Sequence, residues 1–216
     1  MNCKRLTRRR KLFPPARPLT HATRPLMIRS TALIALALFA VASPAWADSA
    51  PADSNPADSL QAGDPLGAFY VTKVAGADDD GVAAGDKLCY RCRYGNSPMA
   101  ILFTRSSDDT TSQLARSLDQ LAMDKTDENF RALVVLLGED RDSLDQAAKT
   151  LAADGMKSTP VVVASENESG PLAYRIDPTS KKTLVIARDN QVETVLVDDD
   201  ATADAARNAI NALFAE

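Results

Sequence analysis

Cys89-Tyr90-Arg91-Cys92 is the constellation in this sequence best equipped to do chemistry. Two residues between the thiols allow a small disulfide ring. Such pairs serve thiol–disulfide exchange, structural bridging or half of a metal site. Lys87, Arg91 and Arg93 flank the thiols. Positive charge beside a thiol favours the thiolate, the nucleophile of exchange, and lowers its pKa. The competing reading is a structural bridge that pins an irregular loop, its basic neighbours merely solvated. A zinc site needs four ligands, and two thiols leave it short unless carboxylates or a second chain complete it. A c-type haem needs His directly after the second Cys, and Arg93 stands there instead.

Charge segregation sharpens this reading. The 216 residues include 25 Lys+Arg, 29 Asp+Glu, one His and three Cys, for a net charge of −4. Residues 1–47 hold nine basic residues, no acidic one, His21 and Cys3. Within them, residues 31–42 (STALIALALFAV) form an apolar run of signal-peptide length, and Ala45-Trp46-Ala47 supplies a small-x-small cleavage signal. The run is shorter than the roughly 20 apolar residues of a membrane span. Residues 1–47 are therefore expected to be a signal peptide, with Met27 as an alternative start that begins a shorter signal of the same shape. Its removal leaves 16 basic against 29 acidic residues in 48–216, a net of −13, with no His and with Cys89 and Cys92 as the remaining thiols. Ser-His-Asp and Cys-His pairs and His-ligated metals are thereby excluded, and no cofactor is implied. An acidic product argues against nucleic acid as a partner, and against a membrane surface once the signal is cleaved. The expected location is outside the cytoplasm, periplasmic or secreted, where disulfides persist.

Residues 48–65 (DSAPADSNPADSLQAGDP) are small, polar and Pro-rich, and read as a linker. The rest, 66–216, is long enough for one domain with a substantial core. Gly67–Val74 reads as a short strand, Asp78–Gly81 as a turn and Cys89–Asn96 as a loop. Met99–Thr104 (MAILFT) and Ala132–Leu137 (ALVVLL) are continuous apolar runs typical of strands buried on both faces. Asp108–Met123 and Arg141–Ala153 carry apolar residues at helical spacing, the first with Asp108 or Asp109 as its cap. Pro160–Ala164 is a third short strand, and a helical turn or two fits within Glu168–Ile176. Thr183–Ala187 and Val192–Val197 flank a hairpin signal at residues 188–191. Asp198–Asp200 form an acidic approach to a last helix over Thr202–Phe214. Such alternation implies an α/β domain with parallel strands, helices on both faces and an antiparallel edge.

This order, with the CxxC, resembles the thioredoxin-like superfamily, and most of all its peroxiredoxin/TlpA-like (AhpC/TSA, redoxin) branch. Gly95–Phe103 resembles the branch's Gly-x-x-apolar-strand-Phe passage. Ala173-Tyr174 matches its Ala-Tyr-Gly-Val, and Thr183–Val192 its Thr-Phe-x-Ile-Asp-x-Asp-Gly-x-Ile hairpin. The resemblance spans about residues 67–215. It implies a three-layer fold with a central mixed sheet, and protein thiols or disulfides as partners. Two departures accompany it. The branch's reactive Cys follows the first central strand, where this chain has Thr104–Thr111 without Cys. The branch often has a cis-Pro before the hairpin strand, where Lys182 stands; Pro160, after Thr159, is the candidate for that role. Arg105, at the end of the central strand, joins Lys87, Arg91 and Arg93 as a candidate tuner of the thiols.

Two functions fit best. One is an exported thiol–disulfide oxidoreductase or redox-responsive protein, with Cys89 expected to attack and Cys92 to resolve. The other is a non-catalytic interaction module in which the CxxC is a permanent staple. A metal-binding or chaperone-like module is a third. Oligomeric state is left open by the sequence.

Overall fold

Met99-Ala-Ile-Leu-Phe-Thr offers no polar side to solvent, so it must be covered on both faces, and all six residues are buried in the computed structural model. The structure describes residues 59–215 apart from Asp154. The expected signal peptide and most of the expected linker lie outside the described residues.

Seven strands form one mixed sheet: β1 Val71–Ala75, β2 Lys87–Leu88, β3 Met99–Thr104, β4 Arg131–Leu136, β5 Val161–Ala164, β6 Lys182–Arg188 and β7 Gln191–Val197. Their order is β2-β1-β5-β4-β3-β6-β7. The three central strands are parallel, with β3 beside β4 and β4 beside β5. The outer pairings of β1 with β2, β1 with β5, β3 with β6 and β6 with β7 are antiparallel. Asp189 and Asn190 turn the β6–β7 hairpin with φ of 52° and 64°. Two left-handed residues suit the twist of paired strands, and Asn and Asp tolerate that conformation.

Three long helices follow the sequence pattern closely. Asp108 caps α2 (Asp109–Asp124) by accepting the Thr111 N–H at 2.8 Å. α3 spans Arg141–Ala153, and Thr202 caps α4 (Ala203–Ala212). Among the described residues no helix is long and apolar enough to cross a membrane.

The layers are lopsided, which alternation alone does not reveal. From β3 to β4 to β5 the chain steps in one direction across the sheet. Two right-handed crossovers in the same direction place both helices on the same face. Leu114 and Leu118 of α2, Leu144 and Ala148 of α3, and Ala206 and Ile210 of α4 accordingly share one core with Ala100, Leu102 and Val134. On the other face lie Met99, Ile101 and Phe103. Their cover is thinner: a one-turn helix, α1 (Tyr90–Tyr94), a 3-10 turn at Leu172–Tyr174, and the chain leading into β1. The expected loop over Cys89–Asn96 thus contains a helix, because Cys89 acts as its cap. The expected linker also ends early. Leu60 is buried, Gly63 donates to the Val192 carbonyl at 2.7 Å and Leu66 to that of Asn190 at 2.8 Å, which covers the start of the β7 edge.

Aromatic packing holds this thin layer in place. Phe69, Phe103 and Tyr174 lie with ring centroids 4.9–5.7 Å apart. The Tyr174 hydroxyl donates to the Gly67 carbonyl at 2.8 Å. Gly67 meets the 3-10 turn so closely that a Cβ there would lie 2.5 Å from the Ala173 Cβ. Gly67→Ala should cost about 1–3 kcal/mol, the usual range for overpacking. Adding Ala173→Gly to it should restore much of the loss in a denaturant titration. Equal stability of Gly67→Ala and the unaltered protein would show that the two segments are not locked together.

Candidate redox site

Lys87-Leu88 pairs with β1 at one edge of the sheet, and the chain then turns under the thinly covered face. Cys89 has extended backbone angles and caps α1, its Sγ accepting the Cys92 N–H at 3.1 Å. The two cysteines form a disulfide with Cα atoms 5.2 Å apart. Cys89 is buried at 9% exposure, whereas Cys92 is exposed. α1 is five residues long and stops at Gly95, whose φ of 62° belongs to the left-handed region that glycine enters freely.

A helix of one turn has little stability of its own, so α1 must be anchored from outside. Tyr90 does this. Its ring is buried in the face of the sheet with Val71, Met99 and Ile101. Its hydroxyl donates to Asp80 Oδ2 at 2.6 Å. Asp80 Oδ1 accepts from Lys73 Nζ at 2.7 Å and from the Val82 N–H at 2.8 Å. Lys73, only 3% exposed, completes its three donations on the carbonyls of Ala77 and Val82, both at 2.9 Å. The Asp78–Gly81 turn is therefore an electrostatic latch: it wraps the buried ammonium and hands Asp80 to Tyr90. The signal was in the alternation of Gly67–Val74, which puts Lys73 on the same inward face as Phe69 and Val71.

These contacts set the titration of the latch. Burial pushes the Asp80 carboxyl up, but the bonds from Lys73, Tyr90 and Val82 and the Lys73 charge outweigh it, and the group lies below the ordinary carboxylate value. Burial first, and then the Asp80 bond and charge, push the Tyr90 phenol up. Burial does the same for Tyr94.

Of the proposed tuning residues, Lys87 lies on β2 and Arg91 and Arg93 on α1, the segment that carries the cysteines. Arg91 Nε donates to the Leu66 carbonyl at 3.1 Å, and Arg93 Nη2 to the Asp80 carbonyl at 2.6 Å. Both also sit in the last turn of α1, where positive charge suits the helix dipole. Arg105 is not brought there. It follows β3, and its hydrogen bonds go to segments other than α1. Its backbone N–H meets the Lys181 carbonyl and its Nη1 the Glu168 carbonyl, while Nε and Nη2 are buried without a hydrogen-bond partner. Pro160 does not take the expected role either. No cis peptide is present among the described residues. Pro160 leads into β5 at the end where Val161 pairs with Ala75, whereas Leu88, just before Cys89, is level with Val71 and Ala164 at the opposite end. The loop before it is tied to α2 by Asp119, a buried carboxylate that accepts the N–H groups of Lys157, Ser158 and Thr159 at 2.8–3.1 Å. At the start of α2, where the resembling branch has its reactive Cys, the Asp108 carboxylate caps the helix. The Thr111 N–H and its other hydrogen bonds hold that carboxyl well below the ordinary value. Among the described residues no cluster of three or more His, Cys, Asp or Glu is placed to hold a metal ion.

Because Asp80 has a depressed pKa when folded, its stabilisation is present above its unfolded value of about 4 and is lost as pH falls through the folded value. Stability should therefore decline on acidification below about pH 4. Asp80→Asn should flatten that part of the profile. Tyr90→Phe removes one hydrogen bond to a charged group and should cost about 1.5–3 kcal/mol. Asp80→Ala strands the Lys73 charge and should cost about 3–5 kcal/mol. Denaturant titrations between pH 3 and 8 check all three, and a Tyr90→Phe protein as stable as the unaltered one would remove Tyr90 from the latch.

Comparison with known proteins supports the architecture. No family model matches the chain, and no curated relative matches it. Solved structures do. A Chlorobium tepidum structure assigned as the thiol:disulfide interchange protein DsbE aligns with 73% of this chain and 100% of its own, at 16% identity and a TM-score of 0.55. Mycobacterium tuberculosis AhpC aligns over 73% of this chain and 94% of its own, at 15% identity and a TM-score of 0.53. The thioredoxin domain of a Bacteroides vulgatus thiol-disulfide oxidoreductase aligns over 71% and 100%, at 10% identity and a TM-score of 0.51. With a seven-stranded mixed sheet and four α-helices among the described residues, the chain has a divergent thioredoxin-like fold of the form seen in these DsbE and AhpC structures.

Proposed function

We propose that this protein is an exported thiol–disulfide oxidoreductase that acts through Cys89 and Cys92. The observation that carries the reading is the asymmetry of the pair. Cys92 is exposed, while Cys89 is buried and its sulfur accepts the Cys92 N–H. In the oxidised protein an incoming thiolate reaches the Cys92 sulfur, forms a new S–S bond there and expels Cys89 as a thiolate. The capping N–H stabilises that leaving thiolate. A second thiolate of the partner then attacks the partner's own sulfur, closes its disulfide and releases Cys92. The partner dithiol is oxidised and the CxxC is reduced. This reverses the roles expected from sequence, where Cys89 was to attack, because burial lies on Cys89. Export rests on the apolar run and cleavage signal of residues 31–47. The DsbE and oxidoreductase likenesses are compatible with protein thiols or disulfides as partners.

A second reading keeps the CxxC as a permanent staple for α1. It is favoured by the Asp108 cap at the place where related structures would need a thiolate, and by the rooting of Tyr90. The midpoint potential separates the two. Structural disulfides lie below about −300 mV, and exchange-active pairs lie above. Trapping with a partner disulfide, whose second sulfur leaves as the thiolate, tests the roles. Cys89→Ser should accumulate a mixed disulfide on Cys92, and Cys92→Ser should trap far less. Potential below that limit together with no trapping by Cys89→Ser would overturn the oxidoreductase reading.

A further inference from the structure

The exchange surface carries charge opposite to that of the domain around it. Lys87, Cys92 and Arg93 are exposed and Arg91 is half-buried. The guanidinium bonds of Arg91 and Arg93 go to the neutral carbonyls of Leu66 and Asp80, so both charges stay uncompensated. Among the described residues no carboxylate forms an ion pair with Lys87, Arg91 or Arg93. Of the neighbouring acids, Asp80 pairs with Lys73 and Asp86 accepts the Ala83 N–H, while Asp78 and Asp79 lie exposed on the turn whose Asp80 carbonyl Arg93 binds. Arg131 adds a further positive charge, 5.9 Å from the ring centroid of Tyr94 at the end of α1. Residues 48–216 as a whole carry −13.

We propose that the site selects partners whose reacting sulfur lies among carboxylates. The proposal rests on the exchange reading above. Its physical basis is range. At physiological salt the Debye length is about 8 Å, so charges next to Cys92 act on an approaching partner while those on other faces of the domain are screened. The local patch therefore attracts an anionic partner, although net charge alone predicts the reverse.

The test uses the full chain carrying Cys3→Ser, so that Cys89 and Cys92 alone report. The reduced protein is mixed with an anionic disulfide (oxidised glutathione), a neutral one (hydroxyethyl disulfide) and a cationic one (cystamine). In each case the Cys92 thiolate attacks the probe, forms a mixed disulfide and expels one probe thiolate. The Cys89 thiolate then attacks Cys92, closes the protein disulfide and expels the second. Two electrons pass from the protein dithiol to the probe, and the two thiol protons end on the released probe thiols. The salt dependence of each rate is the readout, because it is independent of the intrinsic reactivity of each disulfide. Between about 0.15 M and 1 M salt, where the Debye length falls from about 8 Å to about 3 Å, the anionic probe should slow severalfold, the neutral one should stay level and the cationic one should accelerate. Lys87→Gln with Arg93→Gln should flatten the first and third slopes. Exchange with all three probes at salt-independent rates, or slopes of the opposite sign, would overturn the charge selection and leave exchange standing. Failure to react with any probe would overturn the exchange reading and this proposal with it.

Discussion

A buried ammonium governs one side of this molecule. Lys73 lies on an inward face of β1, and a charge in that position is tolerated only if it is paired and fully hydrogen-bonded. Meeting that demand takes Asp80 and two carbonyls, and so dictates the path of the chain between β1 and β2. The same carboxylate reaches Tyr90, and Tyr90 follows Cys89. The CxxC is thus held by the solution to a solvation problem. Its anchor is independent of the long helices, all of which pack on the opposite face of the sheet.

The position of the site follows from that division. In an α/β sheet, ligands and reactive groups commonly gather beyond the carboxyl ends of parallel strands, where helices begin. Here the start of α2 is closed by the Asp108 carboxylate, which takes the donors that would stabilise a thiolate. The thiols sit instead at the cap of a one-turn helix near the β2 edge, and one N–H of that turn does on a small scale what a long helix would do elsewhere. The likeness of the fold to DsbE and AhpC and the displacement of the thiols are therefore compatible.

Much of the architecture was legible in the sequence because its signals are local. The continuous apolar runs of β3 and β4, the Asp108 cap and the residue 188–191 hairpin need no tertiary information. The CxxC and its basic neighbours were equally plain. What escaped was set by contacts between distant segments. Periodicity names the inward face of a helix but not the side of the sheet it covers, and that depends on the order of the strands. Cys89–Asn96 read as a loop because a one-turn helix carries no periodic signal and its cap is a Cys. Arg105 and Pro160 were placed near the thiols by analogy with a family whose cysteine stands elsewhere. Lys73 was the missed clue, a charge on the apolar phase of a strand.

Asp119 has a consequence for how this sequence can drift. One carboxylate on α2 receives three successive backbone N–H groups from residues 157–159. Any residue except proline supplies such a donor, so the contact constrains only one of its two sides. Lys157, Ser158 and Thr159 are free, so far as this contact goes, to exchange side chains over evolutionary time. Asp119 is not, since its loss would orphan three donors at once. Variation among descendants of this chain should therefore be uneven across the contact, with a fixed aspartate facing Lys157 and Ser158, whose exposed side chains wander.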